Sequence, residues 1–135
     1  MTPEAKQKGQ LEDFVPVLLV VDDDAAVRNS LKFSLEIEGF AVRLYADASA
    51  LLNETDMPPC GCLVVDHCLP GMTGLELLSE LRSRGLSLPA FLITGDLSFS
   101  LRQRAAEAGV ALIEKPLLGN GLIGTIRSAL ALPPQ

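Results

Sequence analysis

The chain has 135 residues, of which 48% are hydrophobic and 21% charged, with 4% aromatics and a formal net charge of −6. This composition excludes a disordered chain and suits one domain that buries roughly two thirds of its unfolded-chain surface. The acidic balance opposes direct nucleic-acid binding, which needs a basic face, and no apolar run approaches the ~20 residues of a membrane span.

Residues 1–14 carry Pro3, Gly9 and several charges without periodicity and read as a flexible lead-in with no signal-peptide character. Val17–Val21 is a continuous branched run that stops at Asp22-Asp23-Asp24, the pattern of a strand buried on both faces of a parallel sheet. A helix is expected over Ala25–Glu38, with Val27, Leu31, Phe33, Leu35 and Ile37 supplying apolar surface and Gly39 closing it. Ala41–Tyr45 alternates weakly as a second strand, and a short helix over Ala48–Glu54 leads into the turn-rich Met57–Gly61. Cys62–Val65 is the third strand, ending at Asp66, and His67–Met72 with Pro70 and Gly71 is a loop.

Thr73 is placed to cap a helix over Gly74–Arg84, in which Leu75, Leu78 and Leu81 recur at helical spacing. Ala90–Thr94 is the fourth strand, and Ser98 or Ser100 opens a helix that runs to about Ala108. Ala111–Glu114 is the fifth strand, followed by a last helix over about Leu118–Leu130 with Gly119, Gly121 and Gly124 in it. Alternating strands and helices demand an α/β fold: a five-stranded parallel, doubly wound (flavodoxin-like) sheet with helices on both faces. The expected domain spans residues 15–132, with 133–135 as a tail. The closely spaced Cys60, Cys62 and Cys68 favour a reduced, cytoplasmic protein over a disulfide framework.

The chemistry gathers where strands end. The first strand delivers Asp22 and Asp23, the third Asp66, the fourth Thr94 and the fifth Lys115, all to the edge where open α/β sheets bind ligands. Two carboxylates about 4 Å apart repel by roughly 4 kcal/mol at a surface-like dielectric, so the cluster calls for a cation or a raised pKa. A hard divalent ion such as Mg²⁺ suits such oxygens. Asp66 is then the natural reacting group, since aspartate is an ordinary phosphoryl acceptor. A hydroxyl and an ammonium opposite it suit the charge on a transferred phosphoryl group.

Four segments in order carry a family resemblance: Val20-Val21-Asp22-Asp23, Val65-Asp66 with Leu69-Pro70-Gly71-Met72-Thr73-Gly74, Ile93-Thr94-Gly95, and Glu114-Lys115-Pro116. The chain resembles the response-regulator receiver domain (CheY-like) over Val17–Leu132, and in the wording of its last two motifs the FixJ-type subclass. That resemblance implies Asp66 as phosphoacceptor, Asp23 as direct Mg²⁺ ligand and Asp22 as holder of metal-bound water. It also implies a metal contact from the Cys68 backbone carbonyl and hydrogen bonds from Thr94 and Lys115 to phosphoryl oxygens. Pro116 would follow Lys115 through a cis bond.

The implied donor is a sensor histidine kinase or a histidine phosphotransfer protein, and the implied output is a downstream protein target, with homodimerisation through the last helix face. The chain stops at Gln135 without an output domain, so it reads as a stand-alone phosphoacceptor rather than an enzyme. Asp96, two residues past Thr94, bears on hydrolysis of the acyl phosphate with no sign assigned.

Two departures stand out: Leu112 occupies the position three before Lys115 where family members carry an aromatic switch residue, and the last helix is rich in glycine. They motivate an alternative, a phosphorylation-independent interaction module on the same fold. A flavin-binding flavodoxin-like protein is opposed by Asp22-Asp23-Asp24, which would repel a phosphate, and a Mg²⁺-dependent phosphatase lacks an evident separate general acid. Asp24 reads as a helix cap, His67 as a bystander and Cys68 as an inert thiol. Cys60, Cys62, His67 and Cys68 do not have a standard zinc spacing.

Overall fold

A computed structural model of the chain describes residues 16–58, 60–95, 98–114 and 121–130. Its strands are β1 (Val17–Val21), β2 (Ala41–Tyr45), β3 (Gly61–Asp66), β4 (Ala90–Thr94) and β5 (Ala111–Glu114). Its helices are α1 (Ala25–Ile37), α2 (Ala48–Leu52), α3 (Gly74–Ser83), α4 (Phe99–Glu107) and α5 (Gly121–Leu130). All five strands form one sheet in the order β2-β1-β3-β4-β5, and each neighbouring pair is parallel. The α/β doubly wound architecture is the one expected.

Successive residues of a strand point to opposite faces. Leu19 and Val21 of β1, Leu63 and Val65 of β3 and Leu92 of β4 therefore pack with α2, α3 and α4 through Leu51, Leu77, Leu78 and Leu101. Leu18, Val20, Val64, Phe91 and Ile93 project to the other face, against Leu31 and Leu35 of α1 and Ile126 of α5. Two covered faces explain why these strands read as unbroken apolar runs. β3 and β4 are buried at every position, whereas β2 and β5, each with one neighbour, are exposed at one or both ends and half-buried elsewhere.

Phe33 and Ile37 correct the expectation for α1: they are 69% and 65% exposed. Leu31 and Leu35 already occupy the inward stripe, and Phe33 lies roughly 200° around the helix from Leu31 at 3.6 residues per turn. Five apolar positions cannot share one face.

The helix ends follow local chemistry. Asp24 caps α1, its Oδ1 accepting from the amides of Ala26 at 2.8 Å and Val27 at 3.3 Å. Gly39 then turns the chain at φ +97°, a conformation open to glycine at little cost. Ser98 caps α4, and Thr73 and Glu76 form a reciprocal capping box on α3. α2 stops at Leu52, short of the expected Glu54, whose carboxylate accepts from Tyr45 Oη at 2.6 Å.

β3 is longer than expected by one residue at each end. At its start, a Cβ on Gly61 would lie 2.1 Å from the carbonyl oxygen of Val17, so only glycine lets β1 and β3 approach there. α5 is tied to the α1–β2 connection by Arg127, which donates to Glu38 and lies over the Phe40 ring. The lead-in at 1–14, the tail at 133–135 and the expected start of α5 at Leu118 with Gly119 lie outside the described residues.

Candidate functional site

Register builds the site. β1 and β3 are neighbours with Val21 opposite Val65, so the next residue of each chain, Asp22 and Asp66, emerges side by side at the C-terminal edge. β4 lies beyond β3 with Ile93 opposite Asp66, which brings Thr94 to the same edge. One carboxylate oxygen from each of Asp22, Asp23 and Asp66 falls within 4.8 Å of the other two. Among the described residues, the buried polar or charged side chains are Asp22, Asp66 and Thr94. Asp23 is exposed and forms the solvent side of the cluster.

Backbone contacts hold these side chains in place. Asp22 Oδ1 accepts from the Asp24 amide at 2.9 Å, and the Asp22 amide donates to the Tyr45 carbonyl at 3.1 Å. Arg28, at the end of the first turn of α1, donates through Nη1 to the Asp22 carbonyl at 2.7 Å. Asp66 Oδ1 accepts from the Cys68 amide at 3.2 Å. The His67 amide donates to the Ile93 carbonyl at 2.9 Å and the His67 carbonyl accepts from the Gly74 amide, also at 2.9 Å. A Cβ on Gly74 would stand 2.5 Å from Leu92 Cδ1 and 2.7 Å from the Asp66 carbonyl oxygen. That absence of a side chain lets α3 start directly against the strand that carries Asp66.

Most of the expected residues meet here. Asp22, Asp23 and Asp66 form one cluster and Thr94 is buried at the same edge. Cys68 engages Asp66 through its backbone amide and leaves its side chain exposed. Lys115, Pro116 and Asp96 lie outside the described residues. Leu112 packs, half-buried, against the cluster on the α3 and α4 side, opposite Leu92. The sequence reading missed Arg28, readable only as a base six residues after an acid, and it took Gly74 as the last residue of the motif after Asp66 without its packing against Leu92.

The surrounding ionisable groups are set by burial and capping. Burial pushes the Cys62 thiol up to about 12, so it stays protonated and unreactive. The Thr73 amide, then the Thr73 side chain, hold the Glu76 carboxyl below its usual range. Removal from water, then the bond to Glu54, raises Tyr45. Two buried carboxylates with a third at the rim are costly without a compensating cation. The donor set is all hard oxygen, which fits a divalent ion of the Mg²⁺ or Ca²⁺ kind rather than a thiolate-seeking metal.

The family model described as "Response regulator receiver domain" matches residues 18–127. The chain belongs to the response regulator receiver family. This receiver is 34% identical over 126 residues to the response regulator protein TodT of Pseudomonas putida, covering 93% of the chain and 56% of TodT. It is 40% identical over 112 residues to the transcriptional regulatory protein FixJ of Azorhizobium caulinodans, covering 82% of the chain and 53% of that protein. The receiver thus spans about half the length of these curated relatives.

A crystal structure of a CheY-like receiver domain protein from Methanospirillum hungatei superposes with a TM-score of 0.79 at 30% identity, covering 87% of this chain and 94% of that one. The receiver resemblance and the fold it implied both hold, and the FixJ likeness holds in sequence and structure. Receivers accept a phosphoryl group from kinases in two-component signalling, and this chain carries that domain. Among the described residues, no helix is long and apolar enough to cross a membrane.

Proposed function

We propose that Asp66 is the phosphoryl acceptor of this receiver and that Asp22, Asp23, Asp66 and the Cys68 carbonyl hold Mg²⁺ beside it. The observation that carries the reading is the placement of Asp66: buried, at the end of the central strand, with Asp22 and Asp23 oxygens within 4.8 Å. Bound Mg²⁺ would supply the positive charge that lets an anionic carboxylate approach an anionic phosphoryl group. An Asp66 oxygen forms the new bond to phosphorus as the bond from phosphorus to the donor's imidazole nitrogen breaks, and the freed imidazole takes up a proton. Thr94 donates its hydroxyl to a phosphoryl oxygen, and Lys115 adds its ammonium charge.

The donor is a phosphohistidine on a sensor kinase or phosphotransfer protein. The protein works stoichiometrically, one phosphoryl group per chain, rather than as an enzyme. It operates in the cytoplasm and passes the signal by altered binding to a protein target, as phosphorylation of a two-state element does.

The test is intact mass after incubation with acetyl phosphate, for wild type and Asp66→Asn, with and without Mg²⁺. A single phosphate adduct on wild type that needs Mg²⁺ and is absent from Asp66→Asn is the expected result. An adduct of equal yield on Asp66→Asn would refute the assignment.

A further inference from the structure

The backbone of Asp22 is held at both its amide and its carbonyl, and the grip on the carbonyl has no place in the acceptor chemistry. After β1 ends at Val21, the Asp22 amide still donates to the Tyr45 carbonyl of β2 at 3.1 Å. Its carbonyl turns instead to Arg28, whose Nη1 donates to it at 2.7 Å from a partly buried position. Arg28 is the fourth residue of α1. A cation so near a helix N-terminus opposes the helix dipole, so the helix gains little from it. What it does is satisfy a carbonyl that the strand ladder no longer serves.

We infer that Arg28 is a positioning residue for the metal-binding acids, acting through the backbone rather than through their carboxylates. The Asp22 carbonyl and the Asp23 amide belong to one rigid peptide plane. Holding that oxygen fixes the rotation of the plane, and with it the direction in which the Asp23 Cα–Cβ bond leaves the chain. Asp23 has the most to gain from such help, because it is exposed whereas Asp22 and Asp66 are buried. On the other side Asp24 ties back through its own amide to Asp22 Oδ1 at 2.9 Å, which closes Asp22–Asp24 into one turn. The charge-assisted bond from guanidinium to carbonyl is the stronger kind of hydrogen bond and needs the length of an arginine stem.

This inference rests on the cluster being the Mg²⁺ site of the receiver, and its test separates the two. Mg²⁺ alone is titrated into the full chain by calorimetry for wild type, Arg28→Met, Arg28→Gln and Arg28→Lys. Both neutral replacements are good helix formers, so either one suffices for the comparison. They are expected to bind Mg²⁺ about tenfold more weakly, the lower end of what loss of a group supporting metal ligands brings. Arg28→Lys should fall between them and wild type.

The Mg²⁺ concentration for half-maximal phosphoryl uptake should shift by the same factor, while the maximal rate shifts less. Amide exchange at Asp23 should quicken in the neutral variants more than exchange in β3. Wild-type Mg²⁺ affinity in a folded neutral variant, or acceleration spread evenly over the whole sheet, would overturn the positioning role and leave the acceptor assignment standing. No Mg²⁺ binding by wild type itself would remove the acceptor site and this inference together.

Discussion

β3 and β5 sit in the same sheet with only β4 between them, and both are mostly apolar, yet they are held very differently. β3 is buried at all six positions and has a neighbour on each side. β5 is exposed at Ala111 and Glu114, half-buried at Leu112 and Ile113, and has one neighbour. The carboxylate proposed as acceptor is therefore carried by a strand that is buried throughout and paired on both sides. Leu112, where receivers carry a switch residue, stands on a margin that can be altered at low cost. The difference teaches that one sheet can combine a rigid reaction centre with an adjustable rim.

Core truncation should separate the two regions most strongly. Leu92→Ala, on a fully buried side chain beside β3, is expected to lose about 2–5 kcal/mol of unfolding free energy in urea. Leu112→Ala, its half-buried register partner on β5, should lose only about 1 kcal/mol. Equal losses would mean that the rim is as tightly built as the centre.

Gly74→Ala comes next. The new methyl would press on Leu92 and on the Asp66 carbonyl, and overpacking of this kind costs about 1–3 kcal/mol. Because that carbonyl belongs to Asp66, the proposed acceptor, phosphoryl uptake should slow as well. A destabilised protein with unchanged uptake would show that Asp66 is less closely tied to α3 than the contacts indicate.

Thr73→Ala removes the α3 cap and should cost about 1 kcal/mol. Its partner Glu76 adds a pH signature. The folded-state pKa of Glu76 lies below the usual 4.5, so its contribution is present above that value and fades as pH falls through the depressed folded value. The stability gap between wild type and Glu76→Ala should close on acidification over that window, as followed by thermal melts. A gap that widened with acid would contradict the capping bond.

Much of this was legible in the chain itself, for identifiable reasons. Buried parallel strands announce themselves as branched runs, and Asp24, Thr73 and Ser98 mark helix starts because their side chains accept from free amides. The order of Asp22, Asp23, Asp66 and Thr94 along the chain was enough to place them at one sheet edge. The phase of α1 was not legible, because Phe33 and Ile37 make as regular a stripe as Leu31 and Leu35. Nor was the end of α2, or the pairing of Glu54 with the Tyr45 hydroxyl nine residues back. Gly74 and Arg28 matter through what lies across from them in space, Leu92 and the Asp22 carbonyl, and local pattern does not encode that.

The most direct measurement is the location of the acyl phosphate. After phosphorylation with acetyl phosphate and Mg²⁺, borohydride reduction converts the modified aspartate to its alcohol, and peptide sequencing by mass spectrometry finds the altered residue. The account predicts a single reduced position at Asp66, with Asp22 and Asp23 intact. Reduction at Asp22 or Asp23, or a spread over the three acids, would contradict it.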